Sequence, residues 1–224
     1  MTSRQPVIFC DFDGTITNTD NIVAIMKHFS PPGYESIMQE VVAQKRSIRD
    51  GVGAMFALMP SSSKDEIVEF VMTHAGIREG FQEFLNLVRE HQIPYYVTSG
   101  GIDFFLKPLL EPFGIPEEHI FCNSADFSGE HIEILWPHPC DEHCQNDCGM
   151  CKTTVMREFP PERYERILIG DSLTDFEGAR IADLVYSRSV LTEKCQELGV
   201  PHVPFQTFHD IINDFRQRIG AIHS

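Results

Sequence analysis

Val7-Ile8-Phe9-Cys10-Asp11-Phe12-Asp13-Gly14-Thr15 is the stretch whose reading decides the fold. Four apolar residues in a row read as a short buried strand. Asp11 ends the run at once, too early for the apolar stretch of a signal peptide. Side chains alternate across a strand, so Asp11 and Asp13 can share one side while Phe12 faces the other. Gly14 then permits a tight turn. Two carboxylates at the carboxyl end of a parallel strand sit where open α/β sheets bind ligands. Taken alone, the segment also reads as a solvated turn, in which Asp and Gly are common.

Outward from this strand, short apolar runs alternate with longer helical patterns. Further strands are expected at Tyr95–Thr98, Ile120–Cys122, Ile167–Gly170 and Leu184–Tyr186, with a weaker one near His202–Phe205. Helical periodicity is clear at Phe81, Phe84, Leu85 and Val88, at Ile102, Phe105, Leu106 and Leu109, and at Phe208, Ile211, Ile212 and Phe215, where Thr207 is placed to cap. The fold class is therefore α/β, a doubly wound parallel sheet core with helices on both faces. Two segments break the alternation. Residues 17–76 look purely helical, with Ile48, Val52, Met55 and Phe56 on one face and Ser63 and Glu66 in capping-box spacing before Ile67. That is more than a crossover needs, so 17–76 reads as an inserted cap and 1–16 with 77–224 as the core. The second break is an insert at about 123–151. There, alternation in His131–Trp136 suggests a β-hairpin leading into a cysteine cluster.

A second acidic motif, Gly170-Asp171-Ser172-Leu173-Thr174-Asp175, follows another strand. If a helix starts near Ser172, Asp171 and Asp175 lie about one turn apart on one face. Packed at one sheet edge, Asp11, Asp13, Asp171 and Asp175 would repel one another unless a cation sat among them. Oxygen-only ligands favour a hard divalent ion, and Mg²⁺ is the obvious one. Ser99-Gly100-Gly101, at the end of the second strand, offers a hydroxyl and free backbone N–H groups to an anion, though Ser-Gly-Gly is also an ordinary turn. Lys152 is the only lysine between Lys107 and Lys194. Its place just before the Asp171 strand suits a phosphate.

In this order and spacing the motifs resemble the haloacid dehalogenase superfamily of phosphatases, and the likeness spans the whole chain. The long helical insert looks like the cap of phosphoserine phosphatases. Within the superfamily the chain is similar to the phosphatases of methionine salvage. It is also similar to phosphoethanolamine/phosphocholine phosphatases, notably in a cysteine-rich run ending Met150-Cys151-Lys152. The resemblance implies an Mg²⁺-dependent phosphate monoester hydrolase acting through an aspartyl-phosphate on a small phosphorylated metabolite. It implies Asp11 as nucleophile and Asp13 as general acid/base. Thr15, Ser99, Gly100 and Lys152 would hold the phosphoryl group, and Asp11, Asp13 (through its carbonyl), Asp171 and Asp175 the metal. Asp20 stands nine residues after Asp11, where phosphoserine phosphatases carry an acidic residue that reads the substrate. Arg49 on the cap is a second candidate contact, and both also read as solvated charges.

Cys140, Cys144, Cys148 and Cys151 crowd into twelve residues and could close a structural Zn²⁺ site. Reduced thiols or a redox-sensitive loop fit equally. The formal net charge of -15 excludes nucleic acid and anionic lipid as partners, since both need a basic footprint. No apolar run reaches the length of a membrane span. These features point to a cytoplasmic protein, monomer or homodimer. The rival class is a protein without turnover: a receiver-like module phosphorylated on Asp11, or a thiol- or metal-sensing regulator.

Overall fold

The computed structural model describes residues 4–222. In chain order its elements are β1 (Gln5–Cys10), α1 (Asn21–Phe29), α2 (Tyr34–Val42), α3 (Ile48–Phe56), α4 (Lys64–His74), α5 (Phe81–Glu90), β2 (Tyr95–Ile102) and α6 (Asp103–Leu110). There follow β3 (Ile120–Asp126), β4 (Glu133–Leu135), α7 (Lys152–Arg157), β5 (Tyr164–Gly170), α8 (Phe176–Ala179), β6 (Leu184–Ser187), α9 (Ser189–Leu198), β7 (Val203–Pro204) and α10 (Phe208–Ile222). The sheet runs β4-β3-β2-β1-β5-β6-β7. All neighbours are parallel except β3 and β4, which form the expected hairpin with Ser124 opposite Leu135.

The period of two in β1 divides the interior. Ile8 and Cys10 enter a core built with α1–α4, α5, α6 and α10, whereas Val7 and Phe9 enter one built with α7, α8 and α9. Register then places the chemistry. Cys10 pairs with Val97 on β2 and with Ile169 on β5, so Asp11, Ser99 and Asp171 all emerge at one edge. β1 leads to β2 on one side and lies against β5 on the other, the reversal at which open sheets form a ligand crevice.

Between β1 and α5 the chain is helical. Thr17 and Ile77 pair as an antiparallel bridge, and the Asn18 N–H donates to Gly76 O (3.0 Å), so the segment leaves and returns side by side. Val52, Met55 and Phe56 of α3 and Ile67 and Val71 of α4 are buried. The α3–α4 connection rests on the hairpin through Ile132 N–H to Met59 O (3.0 Å) and Ser61 N–H to Glu130 O (2.9 Å).

Local expectations fail in two places. Ser63 makes no capping box with Glu66: it closes a short 3₁₀ turn with a helical ψ of -2°, and its side chain caps nothing. Ser47 is the residue that caps, accepting from Asp50 N–H (3.0 Å) at the start of α3. Secondly, β2 runs through Ser99-Gly100-Gly101 to Ile102 with a register shift, so these residues line a bulged strand end and α6 begins only at Asp103.

Candidate active site

Asp11 is buried at the end of β1, and its Oδ1 lies 2.7 Å from Lys152 Nζ. The same ammonium also pairs with Asp175 Oδ1. Lys152 is the first residue of α7, beneath the sheet edge, and is itself buried. Asp175 is fully enclosed because its Oδ2 closes the turn after β5. It accepts from the N–H of Asp171 (3.1 Å) and of Ser172 (3.1 Å) and from Ser172 Oγ (3.2 Å). Gly170 makes this possible, since a Cβ there would stand 2.5 Å from Asp175 Cγ. Asp171 accepts from Thr15 Oγ1 (2.9 Å). Gly14, with φ 77°, lets the turn after Asp13 approach it, where a Cβ would meet Asp171 Oδ2 at 2.5 Å.

One oxygen from each of Asp11, Asp171 and Asp175 falls within 4.8 Å of the others. Three carboxylates against one ammonium leave two negative charges in a buried site, which one hard divalent cation would cancel. Burial, then Asp175, pushes Asp171 up to about 6. Burial and Asp175 likewise raise Asp11, with Lys152 opposing. Burial lowers the Lys152 ammonium, but Asp11 and Asp175 outweigh it and leave the group raised and charged.

Asp13 stands apart from this triad. Its Oδ1 accepts from Asn21 Nδ2 (2.7 Å) and Asn21 N–H (3.1 Å), and Ser99 Oγ lies 3.4 Å from Oδ2. Burial, then the charge of Asp20, pushes its carboxyl up to about 7, so near neutrality it holds a proton half the time. Ser99 Oγ in turn accepts from Gly101 N–H (2.9 Å).

A cavity of about 710 Å³ opens above Lys152, with Gly100 and Lys152 at its floor. Val41, Val42, Ile48, Met150 and Leu173 form its walls, and Lys45 and Arg46 lie at its rim. Arg46 is paired with Glu40 (2.8 Å) and Asp50 (2.8 Å).

Other expected residues fall elsewhere. Thr15 was expected to bind phosphate, but its hydroxyl hydrogen is directed to Asp171. The Asp20 carboxylate caps α1 through Val23 N–H (2.9 Å) and acts on Asp13 by its charge. Arg49 does not line the cavity above Lys152. It lies over the Trp136 ring (5.6 Å) and pairs with Asp147 (3.4 Å), because that face of α3 turns to the hairpin and cysteine loop.

Three residues that sequence reasoning missed hold the site together. Arg78 donates to the carbonyls of Thr15 (2.7 Å), Gly14 (2.9 Å) and Thr17 (2.9 Å), and Arg188 adds a bond to Gly14 O (2.7 Å). Burial, then Arg188, lowers the Arg78 guanidinium to about 10. Asn21 holds Asp13. The scarcity of basic residues was the one usable signal for the arginines, whereas Asn21 follows its helix cap with no mark of its role.

A doubly wound sheet with paired aspartates at two strand ends and a lysine between them defines an acid-centred hydrolase. The sequence profile of the haloacid dehalogenase-like hydrolases matches residues 8–180, and the chain belongs to that family. It is 53% identical to the 2-hydroxy-3-keto-5-methylthiopentenyl-1-phosphate phosphatase of Brevibacillus brevis, over 96% of this chain and 97% of that one. It is 51% identical to the protein of the same name from Geobacillus thermodenitrificans, over 98% and 99%. Among solved structures, a phosphoserine phosphohydrolase-like protein from Francisella tularensis superposes with a TM-score of 0.68 at 17% identity, over 93% of this chain and 99% of that one, a likeness of fold. Among the described residues no helix is long and apolar enough to cross a membrane.

Proposed function

We propose that the chain hydrolyses 2-hydroxy-3-keto-5-methylthiopentenyl-1-phosphate as a step of methionine salvage, with Asp11 as the phosphoryl acceptor. Near-full-length identity to two phosphatases of that name supports the substrate. The observation that carries the chemistry is Asp11, buried and 2.7 Å from Lys152, which itself lines a cavity large enough for a small phosphate ester.

In this reading Asp11 attacks phosphorus and the P–O ester bond breaks, while protonated Asp13 gives its proton to the departing oxygen. Water then attacks the aspartyl-phosphate, Asp13 takes back a proton, and inorganic phosphate leaves. Lys152 offsets charge on the transferring group, and Gly100 with Ser99 offers it donors. Asp11, Asp171, Asp175 and the carbonyl of Asp13 would hold Mg²⁺, whose charge neutralises the phosphate when bound. Helices α1–α4, as a cap over the core, supply the apolar wall at Val41, Val42 and Ile48 that suits a methylthio tail.

Initial rates with Mg²⁺ on a panel of monoesters test the reading. The methylthiopentenyl phosphate is expected to give the highest kcat/KM, above phosphoserine and phosphocholine. Preference for phosphocholine would overturn the substrate, and a stoichiometric burst that stops would overturn the enzyme.

A further inference from the structure

Four sulfur atoms outside the carboxylate cluster of Asp11, Asp171 and Asp175 converge without bonding. The Sγ atoms of Cys140, Cys144, Cys148 and Cys151 all lie within 4.8 Å of one another, and every one is a free thiol. A tetrahedral zinc with Zn–S near 2.3 Å needs sulfurs about 3.8 Å apart along each edge. Cys144 Sγ and Cys148 Sγ stand at 3.8 Å, far beyond a disulfide and at that edge length. The Cys148 N–H points at Cys140 Sγ (3.5 Å), and Thr153 Oγ1 lies 3.3 Å from Cys151 Sγ. Such backbone and hydroxyl donors are what a set of thiolates uses to spread its charge. Arg157 reaches Thr153 Oγ1 (3.3 Å) while pairing with Asp141 (2.8 Å), and so ties the start of the loop to α7 beside the group.

The surrounding chain gives the cluster a purpose. From 136 to 151 there is no helix or strand; Cys151 N–H to His138 O (2.9 Å) closes the segment on itself, and Arg49 N–H to Asp147 O (3.3 Å) ties its backbone to α3. A loop of this length inside a compact domain needs a staple. It also contributes Met150 to the cavity wall and passes directly into Lys152, the lysine that pairs with Asp11.

We propose that Cys140, Cys144, Cys148 and Cys151 bind one structural Zn²⁺ as thiolates, releasing their protons, and that this knot positions Lys152 against Asp11. A soft, four-sulfur set of this compactness selects a single tetrahedral ion over the hard cation of the carboxylate site. The metal site stands whether or not the phosphatase reading does. The positioning role rests on that reading.

Elemental analysis of the wild-type chain, purified under reducing conditions from zinc-containing medium, decides the site. About one zinc per chain is expected, and Co²⁺ substituted for it should show thiolate charge-transfer bands and tetrahedral d–d bands. Substoichiometric zinc with four freely titrating thiols would overturn it, as would iron in its place or disulfides in the native protein. Cys148→Ser should lose the zinc. With its fold intact by circular dichroism, it should lose on the order of ten- to a hundredfold in kcat. In a Lys152→Ala background the same substitution should cost little more, since the lysine it positions is gone. Equal losses in both backgrounds would overturn the positioning role. If Cys148→Ser does not fold, removing zinc from the wild type and from Lys152→Ala with a thiol chelator makes the same comparison.

Discussion

Asp171→Asn tests the electrostatics of the site most directly. In the metal-free protein, Asp171 shares a buried corner with Asp11 and Asp175 while one lysine offsets only part of their charge. Its carboxyl is held near 6 against an ordinary value of 3.8, so the native state resists its ionisation. A shift of about two units corresponds to roughly 3 kcal/mol, and halving it for a side chain that water partly reaches leaves about 1.5 kcal/mol. The sign follows from linkage. A folded pKa above the unfolded one contributes stability that is present below about pH 4 and lost as the pH climbs through 6. At pH 8 with chelator the wild type therefore carries the full penalty. Asparagine removes the charge, while its Oδ1 can still accept from Thr15. The variant should melt about 3–6 °C above the wild type in chelator at pH 8, with the gap closing towards pH 4. Added Mg²⁺ should raise the wild type and largely spare the variant. Differential scanning calorimetry across pH, with chelator and with Mg²⁺, reads both effects. A variant that melts at or below the wild type in chelator, or gains the same increment from Mg²⁺, would refute the charge argument.

Asp11→Asn is expected to lower kcat on the order of 10⁴-fold or more without lowering the melting temperature, and steady-state rates beside a thermal melt check both. The Asp13 carboxyl near 7 should make ester cleavage fall as the pH rises past about 7, because the leaving oxygen needs the acid form. Asp13→Asn should be slow and flat over the same range, and a flat wild-type profile from pH 6 to 9 would count against the acid. Val42 is exposed on the cavity wall, so Val42→Asp should raise KM for the methylthio substrate roughly tenfold with kcat little changed. A drop in kcat alone would place that wall outside the binding surface.

Much of the fold was legible because its signals are local. Apolar runs ending in Asp11 and in Gly170-Asp171 mark buried strands, and residues spaced like Phe81, Phe84, Leu85 and Val88 mark an amphipathic helix whatever surrounds them. The juxtaposition of Asp11 with Asp171 was inferable because both follow strands and parallel sheets gather such ends. What was not legible depended on which way a side chain turns. Arg49 carries the same charge as Arg46 and lies three residues away. Arg46 sits in the loop before α3 and pairs with Glu40 and Asp50, whereas Arg49 lies in the first turn of α3 and is presented to Trp136 and Asp147. Asn21 and Arg78 act through contacts to residues 8 and 61–64 positions away, and no local pattern announces such partners.

The site also answers a difficulty posed by composition: a chain of net charge -15 must bind an anion. Burying one lysine does not by itself create a positive pocket here, because Asp11 and Asp175 both pair with it. On the proposed mechanism Lys152 therefore has two tasks: it fixes Asp11, and it offsets part of the charge on the transferring group. Its ammonium keeps Asp11 and Asp175 apart and holds the attacking oxygen in one place, so its removal would leave two carboxylates facing each other without a shared donor. Further attraction for phosphate would come from donors with no carboxylate of their own. The cavity offers the backbone around Gly100, together with Lys45, which makes no ion pair among the described residues. An acidic protein can thus hold a phosphate ester through a few unpaired donors and a charge-balanced acidic floor, without a broadly basic surface.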